Sequence, residues 1–186
     1  DSKRPGYDII AQATGGLMSI TGEPGGHPLR VGNAMGDVLG GMNLTIGILM
    51  ALHARELTGR GQRVDVALVD SVVSSLEIGI QRFFASGKQP ELMGNRYASA
   101  YPYDSFKAKD GLFVIGCGND KLFTLLCNKV FKQPELLTDP RFETNLKRCE
   151  NHAALKPIVE AWSSQYTIKE AVDMILAAGV PAAPIN

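Results

Sequence analysis

Net charge is the first thing this sequence lacks: nineteen Lys and Arg stand against nineteen Asp and Glu across 186 residues. No global field draws a polyanion, which removes nucleic acid and anionic lipid as expected partners. Cysteine is scarce as well. Cys117, Cys127 and Cys149 are odd in number and show no CxxC spacing, so they suggest neither a disulfide framework nor a zinc site. The default setting is a reducing cytoplasm, or a mitochondrial or peroxisomal matrix. Long hydrophobic runs are missing too. The most apolar stretch, Leu44 to Leu52, falls short of the roughly 20 residues a bilayer span needs and reads as a buried core helix, with no membrane partner expected. Several catalytic signatures are also absent: there is no GxSxG elbow, no P-loop and no HExxH. Gly59-x-Gly61 lies between a helix and a strand, the reverse of a dinucleotide-binding turn. His53 and Glu56 share a helix face but have no third donor for a metal.

What the chain has in excess is glycine, with 20 residues against ~7% in average proteins, crowded into the first half. Turn chemistry dominates from Tyr7 to Gly36. An apolar pattern stepping by three or four then runs from Leu39 to Leu57, as a helix face should, and Thr58-Gly59-Arg60-Gly61 closes it. Arg63 to Leu68 alternates like a short strand, and a helix is expected over 70–85. After an aperiodic stretch, Asp110-Gly111 signals a two-residue hairpin. Helices are expected over 120–131, 145–165 and 168–178, the last opened by the capping box Thr167-x-x-Glu170. Helix, glycine turn, strand, helix is the order of an α/β layer fold.

Asp37 stands out by its neighbours. It follows Gly36 and leads into an apolar helix carrying Gly40 and Gly41, so it is either the helix N-cap or a reactive carboxylate. The three glycines remove side chains around it and leave room for a ligand. Such a carboxylate serves as base or nucleophile.

Taken together, Arg4-Pro5-Gly6-Tyr7-Asp8-Ile9-Ile10-Ala11-Gln12-Ala13, Gly32-x-x-x-Gly36-Asp37, Thr58-Gly59-Arg60-Gly61-Gln62-x-Val64-Asp65, Gly94-Asn95-Arg96, Pro102-Tyr103, Lys109-Asp110-Gly111 and Gly179-Val180-Pro181 resemble the class III CoA-transferases of the CaiB/BaiF type. The resemblance runs from about residue 4 to the end. It implies the central part of a doubly wound, Rossmann-like α/β large domain followed by a small α+β domain, from a homodimer of interlocked rings. On that plan residues 1–88 belong to the large domain, 89–100 are a linker, 101–178 form the small domain and 179–186 begin the return to the large one. The chain, which opens on Asp1, is expected to be the middle of a longer protein.

The same resemblance implies a chemistry. Asp37 falls on the family's catalytic aspartate, which attacks an acyl-CoA thioester to give a mixed anhydride and then an aspartyl-CoA thioester. Coenzyme A is then a substrate in its thioester form, small carboxylic acids are the other partners, and no separate cofactor or metal is expected. Tyr7, Asp8, Gly36, Arg96 and Tyr101 are the expected substrate or CoA contacts, with Arg96 suited to the distal carboxylate of a dicarboxylic acid. Related α-methylacyl-CoA racemases carry a histidine where this chain has Tyr7. Tyrosine, with a reference pKa near 10, is a poor base at neutral pH, so transfer is preferred to racemisation. The formyl-CoA:oxalate members have a run of glycines where this chain has Asn95 to Tyr101, a departure that points away from oxalate. A non-catalytic remnant or dimerisation module is the reading from another class.

Overall fold

The computed structural model describes residues 5–186; Arg4, expected in the first motif, lies outside them. Two compact units divide between Gly94 and Asn95. Each has its own architecture.

Unit 1 is helical. Helix α1 (Asp8–Thr14) is followed by a short 3-10 turn, Met18–Ile20, and by the long helix α2 (Met35–Thr58). Gly59 ends α2 at φ 71°, in the left-handed region where glycine carries no Cβ penalty. Close approach to α2 depends on two more glycines. A Cβ on Gly40 would lie 2.5 Å from Leu68 Cδ2, and one on Gly47 would lie 2.7 Å from Val64 Cγ1.

Three expectations change here. The helix expected over 70–85 is two helices, α3 (Leu68–Ser74) and α4 (Glu77–Ser86). Serine explains the break, because the Ser74 and Ser75 hydroxyls donate to the Ser71 and Val72 carbonyls at 2.7 Å and compete with the helix ladder. Arg63–Ala67 is not assigned to a strand. A strand needs a hydrogen-bonding neighbour, and the described part of unit 1 contains none. For the same reason these residues do not themselves form the doubly wound parallel sheet; the observed architecture is mainly helical, with one small antiparallel sheet in unit 2.

The third change concerns α2, expected to be buried. Only Gly36 and Gly40 are buried in it, while Leu49 and Met50 are 61% and 67% exposed. Within unit 1 it packs on α1 and α3, too little chain to cover a 24-residue cylinder. At that length α2 is apolar enough to cross a bilayer by length and composition, unlike the nine-residue run seen in the sequence. Its glycine-mediated contacts with Leu68 and Val64 give it at least one protein-packed side.

Unit 2 wraps helices around a three-stranded antiparallel sheet of order β1-β2-β3. Strands β1 (Tyr103–Ala108) and β2 (Gly111–Gly116) pair from Tyr103 opposite Gly116 to Ala108 opposite Gly111. The hairpin loop is therefore Lys109-Asp110, one residue earlier than expected, and Gly111 takes φ 156° as the first residue of β2. Strand β3 (Ala182–Pro184) adds to β2, so the segment expected to begin the return to the large domain completes this sheet.

Helix α5 (Asp120–Leu125) continues as a π-helical turn, Leu126–Phe131. Helices α6 (Asn145–Glu150), α7 (His152–Ser163) and α8 (Ile168–Ala177) follow. The Thr167/Glu170 capping box is formed at the start of α8. Phe106, Phe113, Ile115, Phe123, Leu155 and Ile175 are at most 1% exposed in the core. Amid them Arg148, fully buried, donates to the Tyr101 carbonyl (2.8 Å), the Phe142 carbonyl (3.0 Å) and Asp120 Oδ1 (2.6 Å). Its guanidinium lies over the Phe123 ring, 4.3 Å from the centroid.

Candidate active site

Asp37 is the third residue of α2, within its first turn rather than at its cap. The N-cap position is Ala34, which provides no side-chain hydrogen bond. The cap comes instead from α1: Asp8 Oδ1 accepts the backbone N–H of Gly36 at 2.7 Å. Of the two alternatives left open by the sequence, the N-cap role therefore falls to another residue, Asp8, and not to Asp37. Asp37 is exposed, and its side chain has no hydrogen-bond partner among the described residues. It sits where the positive end of a helix dipole favours negative charge.

The surrounding glycines divide into two kinds. Gly36 and Gly40 serve packing, since a Cβ on Gly36 would lie 3.1 Å from both Ala11 Cβ and Asp8 Oδ1, and Gly40 abuts Leu68. Gly41 is different. A Cβ there would meet nothing within 4 Å, and Gly41 lies at i+4 from Asp37, on the same helix face. Of the three glycines, Gly41 is the one that leaves open space beside the carboxylate.

Behind this turn lies a residue that sequence reasoning placed in a motif but gave no role. Gln12 is fully buried. Its Nε2 donates to Asp8 Oδ2 (2.8 Å) and to the Asn33 carbonyl (3.1 Å), while its Oε1 accepts from the Val31 N–H (2.9 Å). The signal available in the sequence was the Asp8–Gln12 spacing of i, i+4 on a helix.

The other expected site residues fall as follows. Tyr7 precedes α1 and is 79% exposed, close in the chain to Asp8. Tyr7, Asp8, Gly36 and Asp37 thus belong to one region of unit 1. Arg96 and Tyr101 belong to unit 2, Arg96 being half-buried. Tyr101 is fully enclosed in the unit 2 core, and its hydroxyl has no hydrogen-bond partner among the described residues. Burial first, then the Asp104 and Glu160 carboxylates, push its phenol above the ordinary range, against a smaller opposing effect of Arg96. In this conformation no ligand reaches it, which corrects the expectation of a substrate contact. Its aromatic bulk belongs to the core.

Unit 2 also carries a shallow groove of about 250 Å³, bordered by Asn95, Tyr103, Val114, Gly116 and Pro181. The carboxylate in its lining, Asp104, is already paired with Lys156 at 2.8 Å. That pairing leaves it ill suited to act as a nucleophile.

The chain is similar to several known proteins along nearly its whole length. The acetyl-CoA:oxalate CoA-transferase of Acetobacter aceti is 44% identical over 182 residues, covering 97% of this chain and 46% of that protein. The succinyl-CoA:glutarate CoA-transferase of Mus musculus is 36% identical over 185 residues, covering 100% and 42%. The crystal structure of a CAIB/BAIF family protein from Brucella suis superposes with a TM-score of 0.82 at 39% identity, covering 100% of this chain and 49% of that one. The chain thus spans less than half the length of these relatives. The model of CoA-transferase family III matches residues 1–186, and the chain belongs to that family.

Proposed function

We propose that the protein carrying this chain transfers coenzyme A from an acyl-CoA to a dicarboxylic acid, with Asp37 as nucleophile. The observation that carries the reading is the exposed Asp37 carboxylate in the first turn of α2, without a hydrogen-bond partner among the described residues and beside the open face left by Gly41. Its position matches the catalytic aspartate implied by the family resemblance. The relatives named above act, by their names, on oxalate or glutarate, both dicarboxylic acids.

The steps balance without an external cofactor. An Asp37 carboxylate oxygen attacks the thioester carbonyl, the C–S bond breaks, and a mixed acyl–aspartyl anhydride forms as CoA thiolate leaves. The thiolate attacks the aspartyl carbonyl, giving an aspartyl-CoA thioester and releasing the donor acid as its carboxylate. An acceptor carboxylate then attacks that thioester, giving a second anhydride and thiolate. Attack of the thiolate on the acceptor's acyl carbonyl forms the new acyl-CoA and restores Asp37. Oxyanions that develop at each addition are stabilised by N–H donors and the positive end of α2.

Arg96 is the proposed partner for the acceptor's distal carboxylate, and Tyr7 and Asp8 the proposed lining of the acyl site. A homodimer in a reducing compartment completes the proposal; the free thiols of Cys117, Cys127 and Cys149 suit that setting. The test is CoA exchange between an acyl-CoA and a panel of mono- and dicarboxylic acids, assayed with the intact protein and with Asp37→Asn. Transfer to dicarboxylates that vanishes in Asp37→Asn is expected. Retained turnover in Asp37→Asn, or α-proton exchange of a 2-methylacyl-CoA in place of transfer, would overturn it.

A further inference from the structure

The geometry points to Gln12 as a positioning residue that holds the Asp37 turn in its reactive place, an inference that rests on Asp37 being the nucleophile. Gln12 touches no reacting atom. It acts through two connections. The first runs through Asp8: the amide holds Oδ2 at 2.8 Å, and the other oxygen of that carboxylate is held on the Gly36 N–H at 2.7 Å, one residue before Asp37. The second runs through the loop ahead of α2, where the same amide accepts from Val31 N–H and donates to the Asn33 carbonyl.

One fully buried side chain therefore ties α1, the loop 31–33 and the start of α2 together. The chemistry of the residue is suited to this. Both amide hydrogens and the amide oxygen are used, and each is aimed at a different partner. Leucine supplies none of these bonds, and glutamate cannot supply the amide hydrogens and would set a second carboxylate against Asp8. Asparagine is one methylene too short to keep all three reaches. The close fit of Gly36 against Ala11 Cβ and Asp8 Oδ1, each 3.1 Å from an added Cβ, leaves little slack, so a shift in Asp8 is passed to the turn that bears Asp37.

Displacement of a nucleophile by about 1 Å can cost on the order of 100-fold in rate. The experiment is steady-state kinetics of Gln12→Leu in the intact protein, beside Ser163→Ala. Ser163 is a buried polar residue of unit 2 whose hydroxyl donates to the Lys107 carbonyl at 2.6 Å, and it serves as the control for general destabilisation. The expected result is a kcat lowered about 10- to 100-fold in Gln12→Leu, with KM for the acyl-CoA close to wild type, and an unchanged kcat in Ser163→Ala. Wild-type kcat in folded Gln12→Leu, or a loss expressed in KM alone, overturns the proposal.

A second measurement needs no variant. In wild-type protein the amide hydrogens of Val31 and Gly36 should exchange with solvent more slowly than those of Gly32 and Asn33 between them, and equal exchange across the four overturns the clamp. The two readings fail separately. An active Asp37→Asn removes the nucleophile, whereas an inactive Asp37→Asn with an unaffected, folded Gln12→Leu removes only the role of Gln12.

Discussion

Asp8 Oδ1 lies 2.7 Å from the backbone nitrogen of Gly36, so the start of α2 is capped by a carboxylate from another helix, and the carboxylate one residue further on has no hydrogen-bond partner among the described residues. This division of labour has a measurable consequence. Loss of a capping carboxylate costs about 1 kcal/mol, and Asp8→Ala also strips a partner from buried Gln12. Asp8→Ala should therefore lower the midpoint of chemical denaturation clearly, while Asp37→Ala should leave it nearly unchanged. Equal destabilisation by the two would mean that Asp37 carries structure after all.

The glycines of unit 1 predict opposite stability effects for the same substitution. Gly41→Ala adds a methyl group to open space in a helix interior, where alanine is favoured over glycine by about 0.5–1 kcal/mol. Gly15→Ala drives a Cβ to 2.6 Å from Val72 Cγ1 and 2.8 Å from the Ala11 carbonyl oxygen, an overpacking that costs about 1–3 kcal/mol. Thermal melts should place Gly41→Ala at or above wild type and Gly15→Ala well below it. If a substrate approaches Asp37 across the Gly41 face, Gly41→Val should lose transferase activity while remaining folded.

Arg148 is the polar anchor of unit 2. Arg148→Met keeps much of the bulk but deprives the Tyr101 and Phe142 carbonyls of their donor, at about 1–3 kcal/mol each. Arg148→Lys should not restore the loss, because one ammonium does not reproduce three directed contacts and the stack on Phe123. Asp120→Asn, at the exposed end of the pair, should cost much less. Denaturation curves of the three variants check the order.

Alkaline pH provides a fourth test. Burial pushes the thiols of Cys117 and Cys127 up to about 12 from an ordinary 9.0. Between those values the unfolded chain has released both protons and the folded chain retains them. The folded state then binds more protons, so stability falls as pH rises from about 9 towards 12. The Cys117→Ala/Cys127→Ala variant should show a shallower fall than wild type over pH 9–11 in reducing buffer. In native protein at pH 8 both thiols should also resist alkylation, reacting only after denaturation.

Local chemistry made parts of this fold legible in the sequence. The 3.6-residue period marked α2, Gly59 marked its end, and Thr167 with Glu170 marked the start of α8, because each depends on neighbours within one turn. Features built by distant partners were not legible. Whether Arg63 to Ala67 pairs as a strand depends on residues outside the segment, and the serines that part α3 from α4 fit the apolar period they interrupt. Tyr101 is an expected substrate or CoA contact, yet Asn145, whose side-chain oxygen accepts the Tyr101 N–H at 3.2 Å, and Arg148, which donates to its carbonyl, hold it in the core. At the candidate site, the glycines and the family resemblance single out Asp37 as a candidate, whereas the cap from Asp8 required knowing that α1 meets the start of α2.

The most direct test of the central claim is covalent capture at Asp37. Intact protein is incubated with an acyl-CoA donor and hydroxylamine, digested, and its peptides analysed by mass spectrometry. The account predicts a donor-dependent hydroxamate on the peptide containing Asp37, formed in step with loss of transferase activity. Activity lost with Asp37 unmodified, or a hydroxamate on another carboxylate, would contradict it.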